Sequence, residues 1–391
     1  MTDSPCLPAV SETYAYEQGP IRPPSEARSL LVRLTRNCPW NRCTFCPVYK
    51  GARFSVRPVE HIKRDIDSVH RQVAKLRLLA GNSGHFSRKL LNRLAAVALF
   101  SDLTPLYAAY AWYCHGRMKS VFLQDANSLV MKPDRLIEVL THLHARFPSI
   151  ERVTSYARAH TVARMADRDL ASLKQAGLNR LHIGLESGSD EVLRKVRKGA
   201  TQEIQVDAGR KVKRAGMELS EYYMPGLGGE DAFEEHAVQT AEALNRINPD
   251  FIRLRTLAIP ESAPLFEEYM AGQFRKCTEV TVARELLVFL QNLDGIASFI
   301  ASDHALNLFS ELQGRLPEDR ERMTAVLRDF LSMDPESRMT YQVGKRLGLL
   351  SCLADMAETT KADQAREACR RIGATHDNVD LLTHEIMRQF I

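Results

Sequence analysis

Cys38-Pro39-Trp40-Asn41-Arg42-Cys43-Thr44-Phe45-Cys46 brings three thiols into nine residues, directly after a short apolar run from Leu30 to Leu34. The run reads as a buried strand, and a helical pattern begins beyond the thiols at Pro58 and lasts to Leu79. The cysteines therefore occupy a loop between a strand and a helix. Three thiolates can each hold one iron of a cubane iron-sulfur cluster and leave the fourth iron free to chelate a small molecule, whereas most such clusters take four cysteines. Two other readings stand beside this one. Zinc with three sulfurs needs a fourth protein ligand, and the nearest downstream histidine, His61, falls on the expected helix. A redox disulfide between Cys43 and Cys46 has the C-x-x-C spacing but leaves Cys38 unexplained.

Outward from this loop, strand and helix take turns. After an expected helical insertion at about 80–117, strands are expected at Ser120 to Leu123, Arg152 to Tyr156, Arg180 to Gly184, Glu218 to Met224 and Phe251 to Leu257. Helical patterns at Pro133 to Arg146, Ala166 to Ala176, Asp190 to Val196, Gln202 to Ala215 and Ala232 to Ile247 separate them. Six strands with helical crossovers give an α/β fold, a partial (β/α)6 parallel barrel. Residues 275 to 391 show no strand pattern and read as helical. The organisation is then an extended, proline-containing N-terminal arm (1–28), the barrel (29–260) and a helical C-terminal region (261–391).

The 391 residues are 45% hydrophobic and 26% charged, enough to bury a sizeable core. A net charge of +5 is spread over 53 basic and 48 acidic residues without a basic block, so composition gives no pointer to nucleic acid. No apolar run approaches the roughly 18 residues of a membrane span, and no apolar signal core opens the chain. The expected location is the cytoplasm. The other cysteines, at 6, 114, 277, 352 and 369, are scattered singly and make no disulfide framework.

Three clustered cysteines after the first strand of a six-unit barrel, with aromatic Phe45 just before the last, resemble the radical S-adenosylmethionine (SAM) superfamily over residues 29–260. The commonest spacing there is C-x-x-x-C-x-x-C, and this chain has one more residue between Cys38 and Cys43. The resemblance implies an oxygen-sensitive oxidoreductase with a 4Fe-4S cluster on Cys38, Cys43 and Cys46. Reductive cleavage of SAM would yield a 5'-deoxyadenosyl radical that abstracts hydrogen from substrate. It also implies an electron donor such as flavodoxin or ferredoxin.

Active sites of such barrels sit at the C-terminal ends of strands, where this chain is polar. Gln124-Asp125-Ala126-Asn127-Ser128 follows the second strand, so Asp125 and Asn127 are candidates for the cofactor's amino group, or else a turn and helix cap. Gly184-Leu185-Glu186-Ser187-Gly188-Ser189-Asp190 resembles the matching segment of methylthiotransferases, elongator-type tRNA enzymes and oxygen-independent coproporphyrinogen oxidases. Glu186 would meet the cofactor's ribose or amino group. Lys198, with Arg194 and Arg197 as alternates, would pair with the methionine carboxylate, unless it lies on a solvated helix face. Gly226 and Gly228 would let backbone approach the adenosyl group. Phe45 and Ser155 join the cofactor set. Tyr156, Asp303 and His304 are the catalytic candidates, His304 as proton donor or acceptor and Asp303 beside it.

Arg253 and Arg255 share one face of the sixth strand, and if that face is inward they favour an anionic small-molecule substrate. No second cysteine group, RNA-binding β-barrel or room for an N-terminal cobalamin domain is apparent, since about 30 residues precede the first strand. The expectation is a small or medium organic substrate, no membrane and no nucleic acid. The alternatives are a tRNA-modifying radical enzyme and a non-catalytic iron-sulfur carrier or sensor.

Overall fold

In the computed structural model, which describes residues 16–81 and 87–388, a sheet of eight strands organises the chain. They are β1 (Leu30–Arg33), β2 (Ser120–Gln124), β3 (Arg152–Ala157), β4 (Leu178–Glu186), β5 (Glu218–Tyr223), β6 (Phe251–Leu254), β7 (Phe299–Ala301) and β8 (Gly314–Arg315). The strands lie side by side in chain order. Every pair from β1/β2 to β6/β7 is parallel, and β7/β8 is antiparallel. Parallel neighbours require a crossover for each return, and the crossovers are helices packed on one side of the sheet, as in a partial (β/α) barrel.

Alternation along the strands divides this wall into two faces. Val121, Leu123, Val153, Leu181, Ile183 and Leu219 pack outward against apolar faces of the helices, including Ile62 and Ile66 of Val59–Ala80 and Leu140 and Leu143 of Pro133–Arg146. Between them, Phe122, Tyr156, His182 and Tyr222 turn inward and touch ring to ring, with centroids 5.1 to 6.4 Å apart. The lumen is thus filled with aromatic side chains below and opens above.

Two helices, Arg88–Val97 and Phe100–His115, occupy the expected insertion. The second returns to the barrel, where Trp112 Nε1 donates to the Ser120 carbonyl at 2.8 Å at the start of β2.

Beyond residue 275 the sequence reading needs correction. Five helices of ten or more residues form there, but so do β7 and β8. Strands of three and two residues are too short to show a period of two, and β7 owes its conformation to the ladder Phe251↔Phe299, Ile252↔Ile300 and Arg253↔Ala301. No described helix is long and apolar enough to cross a membrane.

The expected arm is described from residue 16; residues 1–15 lie outside the described set. From residue 16 onward the arm is tied to the barrel. Tyr16 donates to the Leu31 carbonyl at 3.0 Å, and Glu17 pairs with Arg33, Arg36 and Arg57 at 2.7 to 3.1 Å. Gly19 and Ile21 share hydrogen bonds with the side chain of Gln124. A short 3-10 turn, Pro24–Glu26, then brings Glu26 into the closed end of the barrel.

Candidate active site

The cysteine loop is an excursion from a small hairpin. Thr35–Arg36 pairs with Ser55–Val56 in antiparallel register, closing a loop of residues 37–54 at the C-terminal end of β1. Inside it, Asn37 and Asn41 adopt left-handed backbone, a region asparagine tolerates better than most residues. Asn41 donates to the Tyr49 carbonyl at 2.5 Å, and its amide points at Cys38 Sγ at 3.4 Å. The loop is pinned from outside as well, by Thr44 N to the Val196 carbonyl and by Leu265 N to the Thr44 carbonyl.

Cys38, Cys43 and Cys46 all line one cavity of about 340 Å³ at the mouth of the barrel, within the usual range for small-molecule sites. Burial raises the thiols of Cys43 and Cys46 above their ordinary range, with the charge of Lys198 acting against it. Among the described residues, no three His, Cys, Asp or Glu side chains converge as the ligands of one metal ion would. Zinc holds sulfur at about 2.3 Å and needs such convergence. Thiols arranged around a cavity and sensing one another's charge suit a cubane, where each binds a different iron.

On the other side of the cavity stands the end of β4. Its register shifts between Gly184 and Glu186, and Glu186 takes φ 64°. This turn carries the Glu186 carboxylate back across Gly184, where a Cβ would lie 2.2 Å from Glu186 Oε1 and 3.0 Å from Lys198 Nζ. A side chain at 184 would displace both groups. Lys198 pairs with Glu186 at 3.2 Å and stands 5.7 Å from the centre of the Phe45 ring. Trp40 locks the two walls together: its Nε1 donates to the Arg197 carbonyl at 2.8 Å, and Arg158 lies over its ring while donating to the Lys198 carbonyl.

The expected site residues separate into two groups. Phe45, Tyr156, Glu186, Lys198 and His304 line the cavity with the three cysteines. Burial, first among its causes, pushes the Tyr156 hydroxyl up to about 12. Burial, together with the charge of Arg255, brings His304 down to about 4.

Asp125, Asn127, Ser155, Gly226, Gly228 and Asp303 do not line the cavity. Asp125 is fully buried and accepts from Arg33 Nε at 2.8 Å, the Asn37 amide at 3.1 Å and the Tyr49 hydroxyl at 3.0 Å, so it anchors the cysteine loop. Asn127 bridges Thr161 and the Arg158 amide. Ser155 alternates to the helix side and bonds to carbonyls of Leu123 and Tyr156. Asp303 accepts from Arg253 at 2.6 Å.

The glycines after β5 serve a brace outside the cavity. Gly226 N donates to the buried Glu285 carboxylate at 2.9 Å, and Gly228 packs against Ala232 and His236. Glu285 also receives the Tyr223 hydroxyl and stands 3.1 Å from His236 Nδ1, while His236 Nε2 is 3.4 Å from the Glu186 carbonyl. This brace was not legible in the sequence, because a glutamate inside an amphipathic helix looks like any other. Pro20 to Pro24, Tyr49, His160 and Tyr222 also line the cavity and were missed as site residues. Only the position of Tyr222 at the end of an expected strand could have signalled it.

The profile of the Radical SAM superfamily matches residues 32–242. Among curated proteins, a tRNA uridine(34) acetyltransferase of Methanocaldococcus jannaschii is 21% identical over 274 residues, covering 66% of this chain and 48% of that protein. The protein of that name from Methanocaldococcus infernus is 22% identical over 116 residues, 29% of this chain and 22% of its own length. The chain thus spans about half or less of the curated relatives it matches. Among solved structures, methylornithine synthase (PylB) aligns with a TM-score of 0.42 at 16% identity, covering 71% of this chain and 66% of that one. Archaeal Elp3 of Methanocaldococcus infernus with an N-terminal deletion aligns with a TM-score of 0.39 at 14% identity, covering 47% and 48%.

Proposed function

This chain belongs to the radical SAM superfamily, and from that premise we propose that its cavity generates a substrate radical over a cluster held by Cys38, Cys43 and Cys46. The cofactors of the superfamily are a 4Fe-4S cluster and SAM. Held there and reduced, such a cluster would supply the electron that splits SAM into methionine and a 5'-deoxyadenosyl radical able to take a hydrogen atom from the substrate. The observation that carries the reading is that three thiols, Phe45, Glu186 and Lys198 border one cavity.

The chain's own residues orient and shield. Lys198, held in place by Glu186, would receive the methionine carboxylate, and Glu186 would meet the ribose or amino group. Phe45 covers the cluster loop and keeps water from it. Tyr156 and His304 border the space left for substrate, and burial with the charge of Arg255 keeps His304 neutral at pH 7, so that its ring presents an N–H donor there. Asp125, in this reading, positions the cysteine loop and leaves the cofactor to others. A flavodoxin or ferredoxin supplies the electron.

The test is anaerobic reconstitution with iron and sulfide, reduction with dithionite and chromatography of 5'-deoxyadenosine after adding SAM. Cleavage, together with a SAM-induced change in the electron paramagnetic resonance spectrum, is expected. A cluster indifferent to SAM would replace the enzyme with a carrier or sensor.

The match to proteins named as tRNA uridine(34) acetyltransferases favours a second reading, in which the hydrogen donor is part of a tRNA, against the expectation of no nucleic acid. That reading requires tRNA binding whose affinity falls steeply with salt. Weak, salt-insensitive binding returns the substrate to the small-molecule class.

A further inference from the structure

Arg253 and Arg255 leave β6 two residues apart and both turn into the barrel, yet their charges are met differently. Arg253 donates from Nε to Ser220 Oγ at 3.2 Å and from a terminal nitrogen to Asp303 at 2.6 Å. Arg255 borders the cavity, and among the described residues its guanidinium has no hydrogen-bond acceptor or carboxylate partner. A half-buried guanidinium whose five donors meet only the open cavity is free to receive an acceptor from a ligand.

The neighbouring groups are donors too. His304 Nδ1 accepts from the Leu306 amide at 3.2 Å, which places the proton of the neutral ring on Nε2. The Tyr222 hydroxyl, on the cavity lining one strand away, is buried, and among the described residues its one polar neighbour is the Tyr156 hydroxyl, itself on the cavity wall. The carboxylate bordering the cavity, Glu186, is already engaged by Lys198. A guanidinium fork, an N–H and a hydroxyl with no free carboxylate among them favour an oxyanion.

We propose that Arg255, His304 and Tyr222 form a subsite for a carboxylate or phosphate group of the substrate. This rests on the reading of the cavity as the radical site. The same chemistry could come from the carboxylate of SAM itself. Lys198, beside Glu186 and the Phe45 ring, is two strands removed from Arg255 and takes that carboxylate.

The experiment uses the full chain, reconstituted anaerobically, with inorganic phosphate and succinate as probes at constant ionic strength. Probe affinity is read from the shift in thermal unfolding, and SAM affinity from equilibrium dialysis. Arg255→Gln is expected to weaken probe binding tenfold or more, the scale of a charged hydrogen bond, with SAM affinity within twofold of the starting protein. Arg255→Lys should recover part of the loss. His304→Gln and Tyr222→Phe, which keep size, should each weaken the probe several-fold and carry the test if Arg255→Gln does not fold.

A tenfold loss of SAM affinity in Arg255→Gln would assign the arginine to the cofactor and overturn the subsite. So would a starting protein that binds neither probe, or variants that bind them equally well. Probe binding that depends on Arg255 in a protein unable to cleave SAM would leave the subsite standing and sink the radical reading alone.

Discussion

The two ends of the barrel treat buried charge in opposite ways. At the closed end, Glu26 is fully buried yet has partners: Ser29 donates to it, Arg152 donates at 3.3 Å and His182 stands at 3.7 Å. Burial alone would raise its carboxyl, but the nearby His182 ring, the Ser29 hydrogen bond and the Arg152 charge outweigh it and bring the pKa down to about 2. At the open end, two thiols are pushed up by burial and, among the described residues, Arg255 has no carboxylate partner. The closed end therefore holds the fold together, while the open end keeps binding capacity in reserve for groups from outside.

Removing each end should separate chemistry from stability. Replacing Cys38, Cys43 and Cys46 together by Ala is expected to abolish cluster absorbance and reduce 5'-deoxyadenosine to background. Unfolding of the apoprotein should move by no more than about 1 kcal/mol, because half-buried thiols contribute little packing. A large loss of apoprotein stability would show that the open end is structural after all.

Glu26→Gln should do the reverse. The folded pKa of about 2 lies below the ordinary 4.5, so the carboxylate stabilises the fold fully above pH 4.5 and that stability is lost as pH falls through 2. The shift corresponds to roughly 3 kcal/mol near neutral pH. Urea unfolding at pH 7 should show a loss of that order, and the acid limb between pH 4.5 and 2 should flatten in the variant. An unchanged acid limb would mean that the closed end is not held by this carboxylate.

Gly199→Ala probes the seam between the cluster loop and the downstream wall. Its φ of 71° disfavours a side chain, and a Cβ would lie 2.3 Å from the Trp40 ring. Strain and displacement of the indole together should cost about 1 to 3 kcal/mol. SAM affinity should fall several-fold, because neighbouring Lys198 moves with the turn; an unaltered affinity would detach Lys198 from the cofactor.

What the sequence revealed followed from local pattern. The strands from Leu30 to Leu254 were visible because each is a short stretch of apolar, aromatic or β-branched residues set between helical periods, and the thiols because their spacing survives without any tertiary knowledge. The arm was opaque: its prolines show no period, and its course is fixed by Glu17 reaching three arginines distant in sequence. Short β7 was hidden for the same reason, since its partner strand defines it. Among the candidate site residues, Glu186 and Lys198 were found from their place after a strand. Asp125 has the same placement and a different task, because the side chains that occupy it come from the strand leading into the cysteine loop, Arg33, and from the loop itself, Tyr49.

The smallest effect expected tests that last distinction. Tyr49→Phe removes one of three hydrogen bonds to the buried Asp125 carboxylate and leaves those from Arg33 and the Asn37 amide. Bonds to charged groups contribute about 1.5 to 3 kcal/mol, and a carboxylate that keeps two others should lose toward the lower end of that range. The missing bond frees the turn that carries Cys46, so the reconstituted cluster should be lost to a chelator a few times faster. If chelation is unaffected while SAM affinity drops, Asp125 acts on the cofactor through Tyr49, and its assignment returns to the group around Glu186 and Lys198.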